Sequence, residues 1–168
     1  LGRAQLGLSL VLSGLSRRPA FRQFLRPHLY PQIHVKLGEW LARKKIASAM
    51  MDISDGLSTD LTRLCAASHV GARIDATRIP RVAIPPSLSR VSKKLSLDPL
   101  QMALHGGDDY GLLFTVSPRQ AKLLRRAPGY ADITAIGEIT RSRQNLLIAP
   151  DGSRTPLAPR GWDSFRHK

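Results

Sequence analysis

Apolar positions along the chain fall into short blocks whose period changes from one block to the next. The block Leu6-Gly7-Leu8-Ser9-Leu10-Val11-Leu12 suits a buried helix or a buried strand, and length does not separate the two. A basic connector, Arg17-Arg18-Pro19, leads into Phe21-Arg22-Gln23-Phe24-Leu25-Arg26-Pro27. Pro31 needs no backbone donor and suits the first turn of a helix, after which Ile33, Leu37, Trp40 and Leu41 recur at helical spacing as far as Lys45. Ser48–Ile53 reads as a short buried strand. Beyond Gly56, the positions Leu57, Leu61, Leu64, Cys65 and Ser68 follow the 3.6 period, with Gly71 as the C-terminal stop.

Downstream, Ala72–Asp75 reads as a strand, and Pro80, Pro85 and Pro86 mark a loop. Helical stretches are expected near Leu88–Lys94, over Pro99–Leu104 and over Arg119–Arg126. His105–Gly111 reads as a tight turn. Strands are expected over Leu112–Val116, Ile133–Ile139 and Leu146–Ile148, the last ending at the turn Pro150-Asp151-Gly152-Ser153. The irregular alternation and strand-rich end imply an α+β fold, a layered mixed β-sheet flanked by helices.

Composition narrows the partners. At 168 residues the chain suits a single domain with a real core, and one cysteine, Cys65, excludes an internal disulfide and suits a reducing cytoplasm. No apolar run is long enough to cross a bilayer, and the opening residues do not read as a signal peptide. The chain opens on Leu inside an apolar pattern, which suggests a piece of something longer. The net charge of +14 favours polyanionic partners, but its basic pairs are scattered (Arg17-Arg18, Lys93-Lys94, Arg125-Arg126) and aromatics are only 5%. That distribution argues against a nucleic-acid platform of alternating bases and rings.

Two oxygen-rich motifs carry candidate chemistry. In Met51-Asp52-Ile53-Ser54-Asp55-Gly56-Leu57, alternation in an extended segment puts Asp52 and Ser54 on one face, and Asp55 stands where the chain turns into a helix. A helix N-terminus favours phosphate, and nearby carboxylates suit Mg²⁺. The same residues suit a simple cap, with Ser54 or Asp55 accepting from the first-turn amides, and the spacing alone leaves both readings open. In His105-Gly106-Gly107-Asp108-Asp109-Tyr110, glycines permit close approach of a ligand, and adjacent carboxylates call for a cation or donors unless they are solvated. No phosphate loop of the G-x-x-x-x-G-K-[ST] kind and no G-x-G-x-x-G are present. The five histidines are dispersed without zinc-site spacing, and Ser54 has no evident His partner.

Together these motifs resemble the thiamine-monophosphate kinase family, within the superfamily that includes aminoimidazole ribonucleotide synthetase. The points of likeness run in order from Leu6-Gly7-Leu8-Ser9 and Leu25-Arg26-Pro27 through MDISDGL with Asp60-Leu61, Ser68–Ile74, and Gly106–Tyr110. They end with Ile136-Gly137-Glu138-Ile139 and Gly161-Trp162-Asp163-Ser164-Phe165. The resemblance covers residues 1–168 as the family's C-terminal domain, with 155–168 as a tail and the N-terminal ATP- and metal-binding domain lying outside this chain.

It implies transfer of the ATP γ-phosphoryl group to thiamine monophosphate, with several Mg²⁺ ions as cofactors, a homodimer in the full-length protein, a cytoplasmic location and an inactive isolated domain. By the same resemblance Asp52 and Asp55 bind Mg²⁺, Ser54 contacts ATP, and Asp108 and Trp162 contact the substrate, with Phe165 a weaker candidate. Asp108 replaces the family's usual Glu, Gly111 a second Glu, and His105 a small residue. Two other readings stay open: a superfamily member acting on a different nucleotide or phosphate, and a basic non-enzymatic binding module whose aspartates only cap helices.

Overall fold

The opening apolar block is helical: α1 (Arg3–Leu12) buries Ala4, Leu6, Gly7 and Leu10 at spacings of three and four residues. The computed structural model describes residues 1–163. α1 packs along α2 (Arg22–Leu29), and Gly7 permits the contact, since a Cβ there would lie 2.8 Å from the His28 Cβ. α3 (Val35–Arg43) starts four residues later than the Pro31 signal implies. Its buried positions are Leu37 and Leu41, while Ile33 is 66% exposed and outside the apolar stripe.

Six strands form two sheets rather than one among the described residues. β1 (Ala47–Ile53) and β3 (Gly111–Val116) make an antiparallel ribbon that pairs Asp52 with Leu112 and Ile53 with Gly111. The second sheet has the order β4-β2-β5-β6, from β2 (Gly71–Asp75), β4 (Gly137–Thr140), β5 (Asn145–Ile148) and β6 (Arg154–Pro156). It is the expected mixed sheet, with β2 and β5 parallel and the other pairs antiparallel. β1 is not a fully buried strand. Ser48, Met50 and Asp52 are exposed, Ala47, Ala49 and Met51 half-buried, and only Ile53 is buried.

α4 (Leu57–Ala67) and α6 (Pro99–His105) cover the sheets. Leu57, Leu61 and Cys65 pack with Ile53, Ala72, Ile74, Ala103, Leu104, Leu113 and Leu157 in the main core. A second cluster joins α1 to Phe21, Leu88 and Met102, the Leu88 end leading into α5 (Ser89–Lys94). A third sets α3 against Leu124 and Ala127. The Arg119–Arg126 helix is only partly α-helical: α7 (Pro118–Ala121) tightens into a 3₁₀ stretch, Lys122–Arg126.

Two expectations change for physical reasons. Gly71 does not stop α4: His69 does, at φ 55, and Gly71 opens β2. A Cβ on Gly71 would sit 2.2 Å from the Ser142 carbonyl oxygen, so close strand packing explains this glycine. The strand expected over Ile133–Ile139 is shorter and begins at Gly137, because Ile133 turns away to pack on the α3 cluster. In the expected tail, Thr155 and Pro156 belong to β6 and Leu157 to the core, so the surface-crossing segment starts near Ala158. No helix among the described residues is long and apolar enough to cross a membrane.

Candidate functional site

The first turn of α4 is where three distant segments meet. Gly56 precedes the helix at φ 108, ψ 145, and no side chain caps it. Neither Ser54 nor Asp55 therefore acts as the cap that the local sequence allowed. Around this turn the segments join through backbone groups. The Asp108 amide donates to the Ser54 carbonyl (2.8 Å) and the Tyr110 amide to the Ile53 carbonyl (2.9 Å). From the other side, residues 159–162 form a strap. The Trp162 amide donates to the Asp55 carbonyl (2.9 Å), the Gly161 amide to Thr59 Oγ1 (3.0 Å), and the Arg160 amide to Ser58 Oγ (3.3 Å).

Glycine is required where these backbones touch. A Cβ on Gly107 would lie 2.7 Å from the Ser54 carbonyl oxygen, and one on Gly161 would lie 1.8 Å from the Asp55 carbonyl oxygen. No real side chain fits the second position. The strap buries Ser58, Thr59 and Asp60, three polar residues on one helical turn.

Each of these three side chains has a partner, as it must where water is excluded. Asp60 Oδ2 accepts from the Asp55 amide (3.0 Å), and Asp60 Oδ1 accepts from Arg63 Nη1 (3.1 Å). The same Arg63 nitrogen makes a close contact with Asp55 Oδ2. Burial pushes the Asp60 carboxyl above its ordinary range and the neighbouring Asp55 charge adds to that, while the Asp55 amide and Arg63 oppose it. Ser58 Oγ lies 2.8 Å from His105 Nδ1. Burial, and then the Arg160 charge, hold His105 below its usual value, so the neutral ring is favoured.

The sequence-derived residues are distributed around this turn. Asp52 is exposed on β1, Ser54 and Asp55 are half-buried at the junction, and Asp108 is exposed at φ 62 beside Ser54. Trp162 is 67% exposed on the strap and borders a cleft of about 200 Å³ lined by Thr59, Arg63, Pro159, Gly161, Trp162 and Asp163. The adjacent carboxylates of the GGDDY turn divide their work. Asp108 faces solvent, whereas Asp109 reaches back to the start of α1, accepting from the Gly2 and Ala4 amides. Phe165 lies outside the described residues.

Asp52 and Asp55 offer two carboxylates. That fits a partial donor set for Mg²⁺, which commonly takes one or two carboxylates and completes its shell with substrate phosphates. No three His, Cys, Asp or Glu side chains converge as a cation site among the described residues. Sequence reasoning gave no site role to Ser58, Thr59 or Arg63, and Asp60 entered it only as a point of likeness. A trace of them was present, since three consecutive polar residues at the head of an amphipathic helix imply a second covering layer if they are buried.

Residues 14–148 match the family model described as AIR synthase related protein, C-terminal domain. The thiamine-monophosphate kinase of Methanospirillum hungatei is 38% identical over 157 residues, 93% of this chain and 45% of its own length. That of Escherichia coli is 34% identical over 143 residues, 84% of this chain and 42% of its own length.

Among solved structures, AaThiL complexed with AMPPCP and TMP superposes with a TM-score of 0.75 at 30% identity, covering 98% of this chain and 48% of its own. The hydrogenase maturation protein HypE shares the fold at 19% identity with a TM-score of 0.57, covering 78% of this chain and 42% of its own. The chain thus spans about half the length of the curated relatives it matches, or less.

Proposed function

The chain belongs to the family of AIR synthase related proteins, whose C-terminal domain it carries, and on that premise we propose that it is the C-terminal part of a thiamine-monophosphate kinase. In this reaction an oxygen of the monophosphate attacks the γ-phosphorus of ATP. A new P–O–P linkage forms, the bond to the ADP leaving group breaks, and thiamine diphosphate and ADP result. Both reactants are anions, so positioning and charge neutralisation dominate the barrier, and no strong base is required.

The observation that carries this reading is the backbone bonding that ties Ser54, Asp55, Asp108 and Trp162 around one helix N-terminus. Ser54 stands at the positive end of the α4 dipole, where a hydroxyl and a phosphate of ATP are both favoured. Asp52 and Asp55 would hold Mg²⁺, which when bound supplies neutralisation of phosphate charge. Trp162 lines the cleft beside the junction, where an indole suits an aromatic substrate ring, and its backbone amide is held on the Asp55 carbonyl. Asp108, held by its amide on Ser54, offers a carboxylate to the substrate's donor groups.

The reading also carries an N-terminal ATP- and metal-binding domain elsewhere in the protein, a homodimer and a cytoplasmic location. The chain alone then has little or no turnover. The test is formation of thiamine diphosphate by the full-length protein from ATP, Mg²⁺ and thiamine monophosphate, followed by chromatography. No product there, with turnover on formylglycinamidine ribonucleotide, would favour the second reading, an enzyme of the superfamily with another phosphate substrate. Asp108 and Gly111, where the resemblance calls for Glu, are the residues that favour that second reading.

A further inference from the structure

Arg63 lies two turns along α4 from Gly56, with its side chain 50% exposed. Both of its contacts use one nitrogen: Nη1 meets Asp55 Oδ2 and, at 3.1 Å, Asp60 Oδ1. A guanidinium has five N–H donors in a plane. Its Nε and Nη2 groups therefore keep three donors without a hydrogen-bond partner among the described residues. The two carboxylates pin one corner of the fork and leave the rest available.

The same side chain lines the cleft of about 200 Å³ beside Trp162. Asp55 and Asp60 do not line it, so among the described residues Arg63 is the cation of the cleft wall. A fixed fork with unused donors suits the oxygens of a phosphate, which arginine binds bidentately. Trp162 lines the same cleft, and an indole suits a cationic aromatic ring. The lining thus matches a molecule that is anionic at one end and carries a positively charged ring at the other.

Resting on the kinase reading above, we propose that Arg63 is a specificity-determining residue that binds the substrate's phosphate, so that the cleft selects a phosphorylated aromatic cation over the same ring without phosphate. Neither the local motif nor the resemblance singles out this residue. Its role follows from the pinned geometry and the cleft it borders.

The test is calorimetry on the purified protein in EDTA, with thiamine monophosphate, thiamine and inorganic phosphate as separate probes. Wild type is expected to prefer thiamine monophosphate over thiamine by about tenfold, the worth of a charge-assisted hydrogen bond. Arg63→Gln should bring the two ligands within about twofold, and Arg63→Lys, a point charge without the fork, should retain part of the preference. An unchanged preference in Arg63→Gln, with melting near that of wild type, overturns the proposal, as does wild type with no preference. Should Arg63→Gln fail to fold, Arg63→Lys decides: an undiminished preference overturns the proposal. Absence of thiamine diphosphate formation by the full-length protein, with the Arg63-dependent preference intact, would sink the kinase reading and leave this inference standing.

Discussion

The two ends of α4 are finished in opposite ways. At its C-terminus the helix closes on itself: the His69 amide donates to the Ala66 carbonyl (3.1 Å) and the Val70 amide to the Cys65 carbonyl (3.0 Å), with His69 left-handed at φ 55. The same closure ends α1 at Gly14, α3 at Lys45 and α5 at Ser96. At its N-terminus α4 has no side-chain cap, and its first turn is covered by residues from two segments far along the chain. A helix end that serves only the fold is completed by its sequence neighbours. The end that faces the candidate site is covered by distant backbone, whose amides donate to the side chains and carbonyls around the first turn.

If this contrast is right, substitutions at the open end should trade in activity and those at the closed end only in stability. The largest effect is expected for Asp52→Asn in the full-length protein, about a hundredfold loss of turnover, the scale on which removing one electrostatic partner acts. Asp52 is exposed, so the melting temperature should barely move. A large thermal shift at unchanged specific activity would mean that Asp52 serves the fold instead.

Next is Gly161→Ala, whose Cβ would collide with the Asp55 carbonyl. Overpacking of this kind costs about 1–3 kcal/mol, and the strap should lift, raising KM for thiamine monophosphate more than it lowers kcat. Unchanged KM would show that the strap is not part of the substrate site.

A smaller effect concerns pH. Ser58 Oγ accepts from the Arg160 amide and shares a second hydrogen bond with His105 Nδ1 at 2.8 Å. His105 has its value lowered on folding, by burial and then by Arg160. Its contribution to stability is therefore full above the ordinary histidine value, about 6.5, and is lost as pH falls through the folded value. The melting-temperature gap between wild type and His105→Ala should narrow from pH 7.5 to pH 5, and a constant gap would show that the Ser58–His105 contact does not depend on the neutral ring.

The smallest effect belongs to the closed end. His69→Gly relieves a left-handed non-glycine residue and should stabilise the protein by about 0.5–1 kcal/mol in denaturant melts, with activity unchanged.

Much of the fold was legible because its elements announce themselves locally. Leu57, Leu61 and Cys65 define one face of α4, and alternating residues with terminal glycines and prolines bound β2 and β5. What stayed hidden was decided at long range. Gly71 looked like a helix stop because a stop was due, yet a carbonyl of residue 142 is what forbids its side chain. Asp109 looked like half of a cation site and is instead the acceptor for the first amides of α1, more than a hundred residues earlier. Asp52, Ser54 and Asp55 were visible as a motif. Arg63 was not, because an arginine on an exposed helix face carries no local sign of what it will hold.

The strap also bears on the order of assembly. Its bonds from Arg160 and Gly161 to Ser58 and Thr59 each span 102 residues, whereas α1 and α2 pack across the connection 13–21 alone. Long loops close late in folding, because their entropy is lost before their contacts are gained. The core clusters draw on residues up to Leu157 and can form before Arg160 arrives. During synthesis, the body of the domain can be folded while its first α4 turn is still bare. The first turn of α4 is covered only once residues 159–162 arrive, so a chain cut short near residue 158 would keep its core and lack its strap.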